Sequence, residues 1–231
     1  MSKEVLHVLS EFAYTAPAIE RGYAGQTLYV NVGDGAIAAK PVTEDMKAKF
    51  TGGRGFDLWL LWHGVNDDTR WDSPENEIAI ASGPCGGITQ YPGSGKSIAA
   101  TISPLTDVVI DSNAGGHFGP YLKFAGWDAI EVQGKATADV IVYVDGPAGV
   151  VKLIAAPKDC PTDTHELGPW LLQHFAPDDE DKPFVSFVTA GRGAEHALMG
   201  CLNFSLYDRK RKALRYKQAG RGGIGTVLRN K

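Results

Sequence analysis

Cysteine is scarce in this 231-residue chain: Cys85, Cys160 and Cys201 are the whole complement. They are too few and too far apart for a disulfide scaffold, and they lack the C-x-x-C spacing for zinc or iron–sulfur binding. Long apolar runs are missing too. Stretches such as Glu77–Ser82 with its neighbours fall well short of the ~20 residues a membrane span needs. Met1–Tyr14 mixes Glu4, His7 and Glu11 into its apolar residues and lacks a basic leader, so no signal peptide is expected and the default location is cytoplasmic. Neither charge dominates, with 23 Lys and Arg against 27 Asp and Glu. At 43% hydrophobic and 22% charged residues, the composition excludes a disordered or collagen-like chain and leaves room for a substantial core.

Glycine is abundant, at 28 residues, and clustered at 52–55, 83–95, 115–119, 191–193 and 220–225. Such clusters suggest backbone that approaches something closely. Between them lie strand-like segments: Thr27–Val32, Ile37–Pro41 after the Gly33-Asp34-Gly35 turn, Glu77–Ala81, Ser97–Ile102, Val108–Ser112, Ala129–Val132 and Val140–Val144. Phe184–Thr189 and Leu198–Leu202 read the same way. Helices are expected at Glu44–Phe50 behind a Thr43 cap, at Phe56–Trp62 and at His165–Phe175. Strands outnumber helices without alternating with them, which predicts an α+β fold rather than a doubly wound sheet.

Two glycine motifs mimic nucleotide sites. Gly93-Ser94-Gly95-Lys96-Ser97 looks like the end of a P-loop, but Gln90 stands where the opening glycine should be, and a strand follows rather than a helix. Gly220-Arg221-Gly222-Gly223-Ile224-Gly225 satisfies G-x-G-x-x-G, but the preceding Arg209–Lys217 is heavily basic and six residues follow, too few for a βαβ unit. Tight turns explain either loop alone. Taken together, two cation-bearing glycine loops flanking the Asn113-Ala114-Gly115-Gly116 turn suggest backbone nests for a phosphorylated ligand. Arg209–Lys231 adds nine basic residues and no acid, which implies an anionic partner.

Several motifs occur in a fixed order: Trp71-Asp72-Ser73-Pro74-Glu75-Asn76, Ala81-Ser82-Gly83-Pro84, Ser103-Pro104-Leu105-Thr106, Ser112–Gly119, Leu122–Ile130 and Gln218–Gly225. Together they resemble the N-terminal domain of the tungsten-containing aldehyde:ferredoxin oxidoreductase family. The resemblance runs from about Gly25 to the C-terminus and leaves residues 1–24 as an extension, with 25–231 as the pterin-binding domain. It implies a base of two mixed β-sheets with few helices, on which a tungsten (or molybdenum) bis-pyranopterin cofactor lies. It implies a [4Fe–4S] cluster held outside this chain, ferredoxin or another redox protein as electron partner, and interconversion of aldehydes and carboxylic acids.

Position by position, the resemblance places the cofactor on Gly93, Ser94, Gly95 and Lys96, on Asn113, Ala114, Gly115 and Gly116, and on Lys217, Gln218, Ala219, Gly220, Arg221, Gly222 and Gly223. It places a Mg²⁺ ion on the main-chain carbonyls of Asn113 and Gln218, beside the pterin phosphates. Lys96 and Lys217 stand where the family has arginines; a lysine neutralises phosphate but lacks the planar fork. No catalytic acid or base is expected within the chain, because the redox chemistry would be the cofactor's. The family continues past residue 231, so the expectation is one subunit of a split enzyme, with the cluster-bearing helical domains on a second polypeptide, or else a fragment. His117 is open between a ligand contact and a structural role. Arg54 is open between reaching a phosphate and capping a helix. Cys85 is expected to pack, and Trp59, Trp62 and Trp71 to serve core or interface. The competing reading is a non-catalytic scaffold, or a binder of nucleic acid or an acidic partner through residues 209–231. With Tyr216 as the lone interleaved aromatic, nucleic acid is disfavoured.

Overall fold

The computed structural model describes residues 6–231. Strand β1 (Val8–Ala13) comes first. The hairpin β2 (Gln26–Asn31) to β3 (Ile37–Pro41) follows. The polar side chains of its turn close it: Asn31 Oδ1 accepts from the Gly33 amide and Asp34 Oδ1 from that of Ala36, both at 2.9 Å. Helix α1 (Glu44–Lys49) is capped by Thr43, whose Oγ1 accepts from the Met46 amide at 3.1 Å. Helix α2 (Arg54–Gly64) starts two residues before the apolar periodicity predicts. Then come β4 (Ile78–Ala81), β5 (Ser97–Ile102), β6 (Val109–Ala114), α3 (Phe118–Phe124) and β7 (Ala129–Gln133). The chain continues through β8 (Val140–Asp145), β9 (Val150–Ala155), α4 (Thr164–Phe175), β10 (Val188–Thr189), β11 (Leu202–Asp208), β12 (Ala213–Ala219) and α5 (Ile224–Asn230).

The α+β class with few helices is what the structure has. Hydrogen bonding divides the described strands into three sheets. One is mixed and six-stranded, ordered β3-β2-β7-β4-β5-β6, and only β2 and β7 run parallel in it. The other two are antiparallel and three-stranded, β1-β9-β8 and β10-β11-β12. One face of the large sheet presents Leu28, Val30, Ile78, Ile80, Ile130 and Val132 to a core shared with Trp127, Leu153, Leu202 and Phe204 from the rest of the chain. The opposite face carries small residues, Ala79, Ala81 and Ala129, against Phe56 and Leu60 of α2 and Met46 of α1. Small side chains there let the helix axis approach the sheet, and the period-2 alternation separates the two cores.

Several expectations need correction. Strands β1 and β9 were not expected; β1 pairs antiparallel with β9 and places Phe12 against the core. Phe184–Thr189 shrinks to the two-residue β10 behind a 3₁₀ turn at Lys182–Phe184, because just before it the Phe187 amide donates to Ser205 Oγ and Ser186 Oγ to the Ser205 carbonyl, both at 2.8 Å, in place of ladder bonds. The apolar run at Leu198–Leu202 is irregular, and its strand begins only at Leu202. Most of the basic stretch Arg209–Lys217 is itself strand. In β12, Leu214 and Tyr216 turn inward while Arg215 and Lys217 face out, so the charge masked a period of two. A strand therefore does precede Gly220–Gly225 and a helix follows it. The dinucleotide reading fails instead because β12 belongs to an antiparallel hairpin rather than a βαβ unit.

Candidate anion-binding surface

Three loop regions far apart in sequence meet where β5 begins and where β6 and β12 end. Pairing of Ser97 with Ala114 sets the first two side by side. Gly95 then lies so close to Gly116 that a Cβ on Gly95 would stand 2.5 Å from the Gly116 carbonyl oxygen. The third loop is tied in by Gly115, whose position for a Cβ is 4.0 Å from Lys217 Cγ, and by Ser103 Oγ, which donates to the Gly222 carbonyl at 2.8 Å. All three predicted loops thus come together.

The glycines of this surface fall into two groups. Gly222 and Gly223 have φ of +73° and +68°, and a Cβ on them would meet Ile110 at 2.5 Å and the Leu198 carbonyl at 2.1 Å. With Gly95, these are glycines for internal reasons. Gly115 and Gly220 are different. Neither has positive φ, and a Cβ would meet only the Lys217 stem at 4.0 Å in one case and nothing within 4 Å in the other. Gly93 likewise opens to space, though its φ of +83° already favours glycine. Gly83 and Gly193, elsewhere in the chain, share the open surroundings of Gly220.

The cations lie on the same surface. Lys96 Nζ donates to Asn113 Oδ1 at 3.0 Å, a neutral partner that leaves its charge uncompensated. Among the described residues no carboxylate pairs with Lys96 or Lys217, and both are exposed. Arg221 donates from Nε to the Asp111 carbonyl at 2.7 Å and from Nη2 to Asp111 Oδ1 at 3.2 Å. Arg54, which opens α2, donates to Asp111 Oδ2 at 2.8 Å. Asp111 is the residue that sequence reasoning passed over. Its two-residue offset from Asn113 on β6 was the available signal, since residues i and i+2 share a face.

The other weighed residues separate. Gln218 and Ala219 close β12 opposite Asn203 and Leu202, with Gln218 Nε2 donating to Asn203 Oδ1 at 3.3 Å. His117 is half-buried at the start of α3, 3.3 Å from the Tyr121 hydroxyl, and burial followed by the Arg209 charge pushes its pKa down. Cys85 does not pack; it is exposed. Trp71 packs against the larger core and Trp59 against the smaller, whereas Trp62 is 82% exposed.

The basic stretch does not form one patch. Arg211 and Arg215 pair with Asp208, Arg229 with Asp139 and Glu195, and Arg221 with Asp111. Lys231 Nζ turns to the carbonyls of Ser73, Pro74 and Asn76. Much of the charge is spent inside the fold, and Lys217 remains on the glycine surface. Concavities of about 300 Å³ beside Glu75 and Lys135 and about 470 Å³ beside Tyr143 and Phe175 involve none of these residues. Among the described residues there is no cluster of three metal-ligating side chains and no helix long and apolar enough to cross a membrane.

The chain is thus an α+β fold in which an open glycine surface is bordered by the exposed cations Lys96, Lys217 and Arg221. A profile of the aldehyde ferredoxin oxidoreductase N-terminal domain matches residues 27–231, and the chain belongs to that family. It is 34% identical over 227 residues to the tungsten-containing aldehyde ferredoxin oxidoreductase of Pyrococcus horikoshii, covering 91% of this chain and 37% of that protein. The Pyrococcus furiosus enzyme of the same description is 40% identical over 123 residues, 53% of this chain and 20% of the relative. An aliphatic sulfonate oxidoreductase WOR-like subunit of P. furiosus is 32% identical over 127 residues, again 53% of this chain and 20% of the relative. Among solved structures, the active-site complex of benzoyl-coenzyme A reductase with 1,5-dienoyl-CoA superposes with a TM-score of 0.76 at 26% identity, over 91% of this chain and 30% of that one. The chain therefore spans about a third of the length of these full-span relatives.

Proposed function

We propose that this chain is the pterin-binding base of a tungsten or molybdenum bis-pyranopterin oxidoreductase. The convergence of the three loops carries the reading: it sets exposed Lys96 and Lys217 beside Gly115 and Gly220, where no described residue stands in the way of a Cβ. A flat ligand can lie over such backbone without meeting a side chain. The residues fit such a group: open glycine backbone beneath, and the Lys96, Lys217 and Arg221 charges at the rim for its phosphates. A Mg²⁺ ion would be held by the main-chain carbonyls of Asn113 and Gln218, an all-oxygen setting suited to it.

When bound, the cofactor supplies the two-electron chemistry of aldehyde–carboxylate interconversion. This chain's residues bind and orient it and neutralise its phosphates. A [4Fe–4S] cluster, the substrate channel and the docking of ferredoxin or another redox protein belong to a further part of the protein or a partner polypeptide. The names of the sulfonate oxidoreductase subunit and the benzoyl-coenzyme A reductase complex among the similar proteins favour a second reading, in which the same base serves a substrate other than an aldehyde.

Native purification with metal analysis and mass spectrometry of co-purifying chains tests the proposal. Tungsten or molybdenum, magnesium and a cysteine-bearing cluster segment are expected. Lys217→Gln lowers the pterin and metal content together. A colourless, metal-free preparation from the native source overturns the assignment.

A further inference from the structure

Arg54 lies 39 residues before Gly93, where the first of the three loops begins, yet the fold brings its guanidinium to Asp111 beside them. We propose that Arg54 is a further anion-contacting residue of the glycine surface, clamped beside Arg221 by the shared carboxylate of Asp111, and that this pair recognises a phosphoryl oxyanion. The inference rests on the reading of the surface as a phosphate-binding base and adds to it one contact and one positioning residue.

The geometry is specific. Asp111 Oδ2 takes Arg54 Nη2 at 2.8 Å, its Oδ1 takes Arg221 Nη2 at 3.2 Å, and its carbonyl takes Arg221 Nε at 2.7 Å. One carboxylate faces two guanidiniums, so one positive charge stays in excess. The depth of the groups shows which charge faces outward. The Asp111 side chain is 17% exposed, against 59% for Arg54 and 61% for Arg221. The anion is sunk beneath two cations that project into solvent. Exposed ion pairs of this kind add little to stability; what the carboxylate supplies is a fixed direction for both heads.

Arg221 is held through Nε and Nη2, which leaves its Nη1 edge to donate outward. Arg54 is held through Nη2 alone and keeps Nε and Nη1. Both therefore retain donors for the oxygens of a phosphoryl group, in the planar arrangement that suits forked recognition. Along the same face of β6, Asn113 lies about 7 Å beyond Asp111 and receives Lys96. Arg54, Arg221 and Lys96 thus line one stretch of strand, at a spacing that a ligand with two phosphoryl groups can bridge. Arginine at these two points also provides the planar forks that lysine at 96 and 217 does not.

Inorganic pyrophosphate is the probe, titrated at low ionic strength onto the ¹⁵N-labelled chain, with calorimetry alongside. Amides of Asp111–Gly116 and Ala219–Gly222 are expected to shift. Arg54→Gln weakens binding about three- to tenfold, the loss of one charge-assisted contact. Arg54→Lys falls between that variant and the parent, since charge remains and the fork is lost. The double change of Arg54 and Arg221 to Gln costs less than the product of the single effects, because the two share Asp111. Lys96→Gln and Lys217→Gln report on the surface independently. If they weaken binding while Arg54→Gln titrates like the parent, the inference is overturned and the surface reading stands. If the parent chain does not bind pyrophosphate, both fall. Should Arg54→Gln lose its folded amide dispersion, Arg54→Lys decides, and parent-like affinity in that variant overturns the fork.

Discussion

Lys123 and Asp128 face each other at 3.0 Å, each with only 1% of its side chain exposed. The Lys123 ammonium spends its other two donors on the carbonyls of Gly22 at 2.7 Å and Gly83 at 3.0 Å. Asp128 in turn accepts from the amides of Ala24 and Gly25 at 3.1 and 2.8 Å. This pair ties the segment before β2 and the loop after β4 to the end of α3.

Breaking the pair leaves a charge buried without its partner. Lys123→Met or Asp128→Asn is expected to cost about 3–5 kcal/mol, read from urea unfolding with the slope unchanged. Replacing both with apolar residues recovers part of that loss. A double variant as unstable as the sum of the singles would argue against a coupled pair.

The two groups of glycines give opposite outcomes with alanine. Gly223→Ala puts a Cβ 2.1 Å from the Leu198 carbonyl at a φ of +68°, and Gly95→Ala meets the Gly116 carbonyl at 2.5 Å. Each should lose about 1–3 kcal/mol. Gly115→Ala and Gly220→Ala have no such obstacle and should match the parent or gain up to about 1 kcal/mol, while lowering cofactor content. Thermal unfolding and metal analysis of the same preparations separate these effects, and destabilisation by Gly220→Ala would remove its argument for a ligand.

Glu77 is fully buried, and among the described residues neither carboxylate oxygen has a hydrogen-bond partner. Burial, followed by the nearby Glu131 charge, pushes its pKa up from 4.5 to about 8, against the opposing charges of Lys40 and Lys231. The folded chain keeps a proton that the unfolded chain releases above about pH 4.5. Its contribution is therefore intact below that pH and is lost as pH rises towards and through about 8. Glu77→Gln should raise the unfolding midpoint near pH 8 by several degrees and change it little near pH 5, flattening the pH profile. Asp57, wholly buried in α2 and without a hydrogen-bond partner among the described residues, is shifted the same way by burial and by Asp111 and Glu77. A gain from Glu77→Gln that is the same at both pH values would contradict this account.

Cys85 and Cys160 should label in order of access. Cys85 is exposed, while Cys160 is partly covered and its pKa is pushed up to about 11 by burial and by Asp139 and Asp159. Alkylation near pH 7, followed by peptide mass spectrometry, should modify Cys85 first and leave Cys160 largely intact, since the thiolate is the reactive form. Equal labelling would contradict the burial of Cys160.

Elements with a clear period or a strong boundary were legible in the sequence: the β2–β3 hairpin from its Gly-Asp-Gly turn, α1 from Thr43, and β5 from its apolar run. The misses share a cause. In β12 the outward positions are basic, so charge hid the alternation of Leu214 and Tyr216. Strand β9 follows β8 after only a short turn, and its Lys152 interrupts an otherwise apolar run. The meeting of the three loops was inferred from their shared composition and the family resemblance. The link through Asp111 was not, because a contact between residues 54, 111 and 221 depends on how β6 lies between α2 and the β12 loop. Local sequence carries no record of that arrangement. Gly115 and Gly223 could not be told apart either, since a φ angle and a neighbouring carbonyl decide which glycine is structural.

Lys96 and Asn113 flank the β5–β6 ladder of the six-stranded sheet, whereas Lys217 belongs to the β10-β11-β12 sheet and brings its stem against Gly115. A ligand seated there spans the seam between two separately hydrogen-bonded sheets. Its binding energy is then also joining energy: occupancy resists parting of the sheets in proportion to the logarithm of ligand concentration over its dissociation constant. A rise in unfolding temperature on loading would follow from where the surface sits, with the bound group acting as a rivet between the sheets.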